Sequence, residues 1–174
     1  MKNLLKRATL AFGIATATVG TANAQSLSDT YLNAAHNFTL RVATDPVLKR
    51  FAELNARATQ HAGFIKFNGA LDNIASGRIR DAGLSKSNAD LLRTYCVSTH
   101  FSTIAVLYAS INRRIDNGEL RRVYSNPETR RYIEESGAFA LSISQTIDNT
   151  LFDGEANPAN CTKRGGLYDR LTYR

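Results

Sequence analysis

The chain has 174 residues, 22 Lys and Arg against 15 Asp and Glu, a formal net charge of +7 and two cysteines. That length suits one domain with its own core once any leader is removed. Two cysteines are too few for a disulfide-dense scaffold, so apolar burial must carry most of the stability.

The first 24 residues read as a leader. Lys2, Lys6 and Arg7 precede an apolar run from Leu10 to Gly20, and Ala22-Asn23-Ala24 places small residues on both sides of the cleavage position. This order of parts is that of a secretory signal peptide, so the mature chain is expected to be a single all-α domain over residues 25–174, in the periplasm or secreted. The apolar run is too short for a membrane anchor. Without the leader the balance is 19 basic to 15 acidic residues, a net of +4. No nucleic-acid partner is expected from so small an excess in an exported chain.

From Ser28 through Val42, the residues Leu32, Ala35, Phe38 and Val42 recur at helical spacing. Asp45-Pro46 predicts the next helix start: the carboxylate caps, and proline takes a first-turn position where its missing N–H costs nothing. Val47, Leu48, Phe51, Leu54 and Ala58 line one face of that helix. Gly63 interrupts, then Phe64, Phe67, Leu71 and Ile74 continue the period to about Gly77. The Ser- and Asn-rich stretch from Gly83 to Asp90 breaks the pattern. A long helix is expected from about Asn88 to Asp116, its seam made by Phe101, Ile104, Tyr108, Ile111 and Ile115. Asp116-Asn117-Gly118 is its stop. Asn126, Pro127 and Glu128 supply a cap, a first-turn proline and a favourable acid for a last helix running to about Leu151. Tyr132, Phe139, Ile143 and Ile147 face inward along it, and Gly137 weakens its middle.

The tail from Asp153 to Arg174 has no sustained period. An even cysteine count in an exported chain predicts a disulfide between Cys96 and Cys161, worth about 4 kcal/mol on chain-entropy grounds. The expected fold is a compact all-α bundle of four to six helices around a central long helix, with that disulfide tying down an irregular C-terminal tail.

Few residues carry chemistry. Thr94 to Asn112 contains no charged residue, but it is rich in Ser, Thr, His and Asn, which suits an inner bundle helix better than a bilayer. No transmembrane segment is expected after leader cleavage. Cys96 and His100 lie four apart and could share a metal from one face, yet two ligands make no site and a disulfide consumes one of them. His100 is expected to be a semi-buried residue with a backbone partner. Glu135-Ser136 resembles the Glu-Ser of lytic transglycosylases and goose-type lysozymes, in which the Glu is catalytic. That resemblance covers two residues, and the Gly-Leu-Met-Gln segment of those enzymes has no counterpart here. It would imply Glu134 or Glu135 as a general acid. Gly-x-Ser-x-Gly, a Gly-rich phosphate loop and Cys-x-x-Cys-His are all absent, and the sole methionine, Met1, leaves with the leader. No cofactor is expected.

Three Arg pairs fall between Ile111 and Ser136: Arg113-Arg114, Arg121-Arg122 and Arg130-Arg131. Six Arg meet five acids there, a local balance of only +1. Arg121 and Arg122 with Tyr124, in what reads as a loop, have the fewest structural explanations and form the candidate partner-binding edge. The function these features favour is protein–protein contact with another protein of the cell envelope, as an inhibitor or immunity protein or an accessory subunit of an envelope or secretion machine. A peptidoglycan hydrolase using Glu134 or Glu135 is the alternative. A carrier of a small apolar ligand, suggested by eight Phe, is a third.

Overall fold

The computed structural model describes residues 27–79, 86–111 and 118–172. The leader, Gly83 to Ser85 of the breaker, Arg113-Arg114, Ile115 and most of the Asp116-Asn117-Gly118 turn lie outside the described residues, as do the side chains of Tyr108 and Ile111. Within them the protein is all α-helix, with no strand.

Helix α1 (Asp29–Thr44) and helix α2 (Pro46–Thr59) are joined by a single residue, Asp45. Its backbone N–H closes α1 on the carbonyl of Arg41 at 2.8 Å. Its Oδ1 accepts the Val47 and Leu48 N–H groups at 2.9 and 3.0 Å, and its Oδ2 accepts the Tyr132 hydroxyl at 2.9 Å. One carboxylate thus ends a helix pair and fixes it to the last long helix, as the Asp-Pro signal predicts in part. Helix α3 (Ala62–Ala75) starts at His61, whose Nδ1 accepts the Gly63 N–H at 3.2 Å.

Helix α4 (Lys86–Ile111) is the first of two long helices that form the centre. Helix α5 (Gly118–Ser125) leads to the second, helix α6 (Pro127–Leu151). Asn126 caps α6, its Oδ1 accepting the Glu128 and Thr129 N–H groups. Tyr95 meets Phe152 just past the end of α6, while Ala105 meets Gly137 near its middle, so the two long helices run antiparallel. Ser136, Gly137, Ala140 and Ser144 are buried along α6. A Cβ at position 137 would lie 2.6 Å from the Cβ of Ala105. Gly137 therefore sets the spacing of the pair and is not a weak point in the helix.

Aromatic rings bind the other helices to this pair. Phe38 of α1 meets Phe101 of α4 and Phe139 of α6 edge-on, with centroids 6.0 and 5.3 Å apart. Phe51 of α2 meets Phe101 at 6.2 Å. Such edge-to-face pairs each add about 0.5–1.5 kcal/mol beyond the area they bury. Every Phe from residue 38 onward lies in the core or against it. The uncharged stretch lies within α4 from Thr94 to Ile111, and among the described residues no helix is long and apolar enough to cross a membrane.

The fold departs from expectation in two places. The segment that carries the second Arg pair, Arg121-Arg122, is the helix α5, not a loop, because Leu120 and Tyr124 stand four apart and are both buried. The tail also carries structure of its own: helix α7 (Ala159–Thr162) and helix α8 (Leu167–Thr172). Gly165, at φ +71°, gives the left-handed turn between them. Tyr168 is completely buried and Leu171 nearly so. Lys66 of α3 pairs with Asp169 at 2.7 Å and donates to the Thr162 carbonyl at 3.0 Å, while Asn73 donates to the Leu171 carbonyl. The tail is part of the core at several points, the disulfide being one of them.

Candidate functional site

A cleft of about 520 Å³ lies where the first half of α4 faces the tail. Its existence follows from the covalent link. Cys96 and Cys161 form a disulfide with Cα atoms 5.8 Å apart, as the cysteine count predicts, and both residues are only 2% exposed. The bridge holds α7 against α4, and residues 152–157 must then arch from the end of α6 to reach it. Asp148 braces that arch, its Oδ1 accepting the Ala156 N–H at 2.8 Å, and the Tyr95 hydroxyl donates to the Ala156 carbonyl at 3.0 Å. The Tyr95 ring meets Phe152 edge-on at 5.9 Å. Burial, with the Asp148 charge beside it, pushes the Tyr95 phenol above its usual range, so it stays a neutral donor.

Leu92, Tyr95, Phe152 and Leu167 give the cleft an apolar lining next to the disulfide. Asp153, Glu155, Lys163 and Arg170 stand exposed around it, two acids and two bases. None of these four is ion-paired among the described residues. Such a site, apolar with a few convergent polar groups and of this size, is typical for holding a small ligand or an anchored side chain.

The residues singled out by sequence do not gather here, apart from the cysteines. Cys96 cannot ligate a metal together with His100, because its sulfur is committed to Cys161. His100 instead shares a hydrogen bond of 2.9 Å between its Nδ1 and the Tyr168 hydroxyl. Glu134 accepts the Tyr124 hydroxyl at 3.0 Å, which ties α5 to α6. Glu135 is exposed, 3.7 Å from Arg131 one turn away. Tyr124 is buried and stacks on Phe51 at 6.3 Å, so its ring is not available to a partner. Arg121 and Arg122 are exposed on α5, which Glu119 further fastens to Arg50 of α2. These elements form three places: the cleft, the pair of half-buried His100 with buried Tyr168, and the α5–α6 edge.

No family model, curated protein or solved structure matches the chain.

What remains is the chemistry of the cleft itself, which sequence reasoning missed. Its lining comes from three stretches, around residues 92–96, 152–157 and 160–170, and none carries a motif. The one signal that could have found it was the cysteine pairing. A bond between Cys96 and Cys161 brings their neighbours together, so Tyr95 and Leu167 must lie near one another.

Proposed function

We propose that the mature chain works outside the cytoplasm, in the periplasm or after release, through contact with another protein of the cell envelope. Inhibitors, immunity proteins and accessory subunits of envelope or secretion machines are the classes it fits. The observation that carries this reading is the cleft braced by a buried disulfide, a rigid concave surface with an apolar lining and a charged rim. A buried disulfide suits an oxidising compartment, in keeping with the leader-like first 24 residues. Rigid, pre-organised surfaces lose little entropy on binding, and this is where a recognition protein gains affinity.

The hydrolase reading gains no support from the position of the two carboxylates. Glu134 serves as an acceptor for Tyr124, and Glu135 stands in solvent beside Arg131. Neither has the apolar enclosure that keeps a catalytic carboxyl protonated. Of the Phe side chains behind the carrier reading, Phe152 lines the cleft and the others from residue 38 onward fill the core or pack against it.

The test is capture of a partner by the oxidised mature protein from an envelope extract. One protein recovered at a fixed stoichiometry, and absent when the bait is unfolded, is the expected result. Recovery of nothing stoichiometric would overturn the proposal.

A further inference from the structure

We infer that the cleft beside the disulfide receives an extended peptide segment of the partner, with an apolar side chain on the lining and charges of both signs at the rim. This rests on the contact function proposed above and names its site. The volume, about 520 Å³, is far too small for a globular surface and ample for one or two anchored side chains. Leu92, Tyr95, Phe152 and Leu167 supply apolar contact for such an anchor.

The rim decides between kinds of guest. Asp153 and Glu155 oppose any polyanion, including an anionic lipid headgroup or a nucleic acid, and Lys163 and Arg170 oppose a polycation. With two charges of each sign, the rim carries no net charge of its own to attract a single ion. It suits a guest that carries both signs on a neutral frame. The amide of Asn160, at the same rim, offers both a donor and an acceptor, which matches a peptide group. Peptides combine these features: apolar side chains, charges of either sign and a backbone that donates and accepts.

The experiment is selection of a random heptapeptide phage library on the oxidised mature protein, followed by titration of the enriched synthetic peptides. The comparison protein is a double charge reversal, Glu155→Lys with Lys163→Glu, which keeps the net charge. Both positions are exposed, so the variant should retain wild-type helicity and thermal midpoint. Peptides with an apolar residue flanked by opposite charges are expected, binding the variant at least about tenfold more weakly. Peptides that bind both proteins equally, or no enrichment at all, would overturn the inference. The contact function fails separately: a stoichiometric envelope partner whose capture survives the charge reversal sinks the cleft and leaves that function standing, whereas a wild-type protein that neither enriches peptides nor captures a partner removes both.

Discussion

His100 projects from α4 toward α3 and α8, where the rings of Phe64, Phe67 and Tyr168 surround it at 6.2, 5.5 and 5.1 Å. Burial, and to a lesser extent the charge of His61, pushes its pKa down to about 4. Burial pushes the Tyr168 phenol well above its ordinary value. At neutral pH the pair is therefore uncharged, and its hydrogen bond links the central helix to the tail. The consequence for stability has a definite sign. The unfolded chain takes up a proton on this histidine near pH 6.5, whereas the folded chain does so only near 4. Between those values the unfolded state binds more protons, so stability falls as the pH drops through the window and is flat above it. The expected loss from this group is about 3 kcal/mol between pH 6.5 and 4. Urea midpoints of the wild type and His100→Gln across that range check it: the variant should show the shallower dependence. Equal slopes in the two proteins would show that other groups carry the acid sensitivity. From sequence, His100 offered only its spacing from Cys96. Its actual partner lies 68 residues onward, in a tail with no period to point at Tyr168.

Among the helices, the α4–α6 pair depends on small residues as much as on large ones. Replacing Gly137 with Ala gains about 1 kcal/mol of intrinsic helix preference. It also drives a methyl group to 2.6 Å from the Cβ of Ala105, across a contact that two long helices hold in place. Overpacking of this kind costs about 1–3 kcal/mol and outweighs the gain in helix preference, so Gly137→Ala should destabilise the protein by about 1 kcal/mol. Chemical denaturation of Gly137→Ala, Ala105→Gly and the double variant separates the two effects. The double variant should recover part of the loss relative to the sum of the singles, and a Gly137→Ala protein more stable than wild type would refute the packing account. The sequence revealed helices whose ends carry strong local chemistry, such as Asp45-Pro46 and Asn126-Pro127, because a cap acts over three or four residues. It did not reveal the role of Gly137, because a close approach depends on a residue of another helix. The helices α5 and α8, of eight and six residues, were too short to show a period, and Leu120–Tyr124 and Tyr168–Leu171 each offer just one spacing.

For the molecule as a whole, helix class and covalent topology were readable in advance, since both follow from residue type and chain order. The cleft was not, because its two sides come from stretches far apart in the chain that only the folded tail brings together. The disulfide is the point where these two levels meet. It closes a loop with a sequence separation of 65 residues, for which lost chain entropy predicts about 4 kcal/mol of stabilisation. The tail has other attachments, among them Lys66 to Asp169, Asn73 to the Leu171 carbonyl and Tyr168 to His100. Those three lie beyond residue 165 on the tail side. At α7 the bridge is joined by the weaker hold of Lys66 on the Thr162 carbonyl. Replacing both cysteines with alanine should therefore lower the thermal midpoint by roughly 10 °C while leaving the helical content nearly unchanged. The local effect should be larger than the global one. Limited proteolysis of the double variant under native conditions should cut first within residues 153–166, which in the wild type are held between α6 and α8. A double variant that melts at the wild-type temperature would mean that loop closure is not what the bridge contributes. Cutting distributed evenly along the chain would mean that the bridge does not hold the arch over the cleft, and the cleft would then need another support.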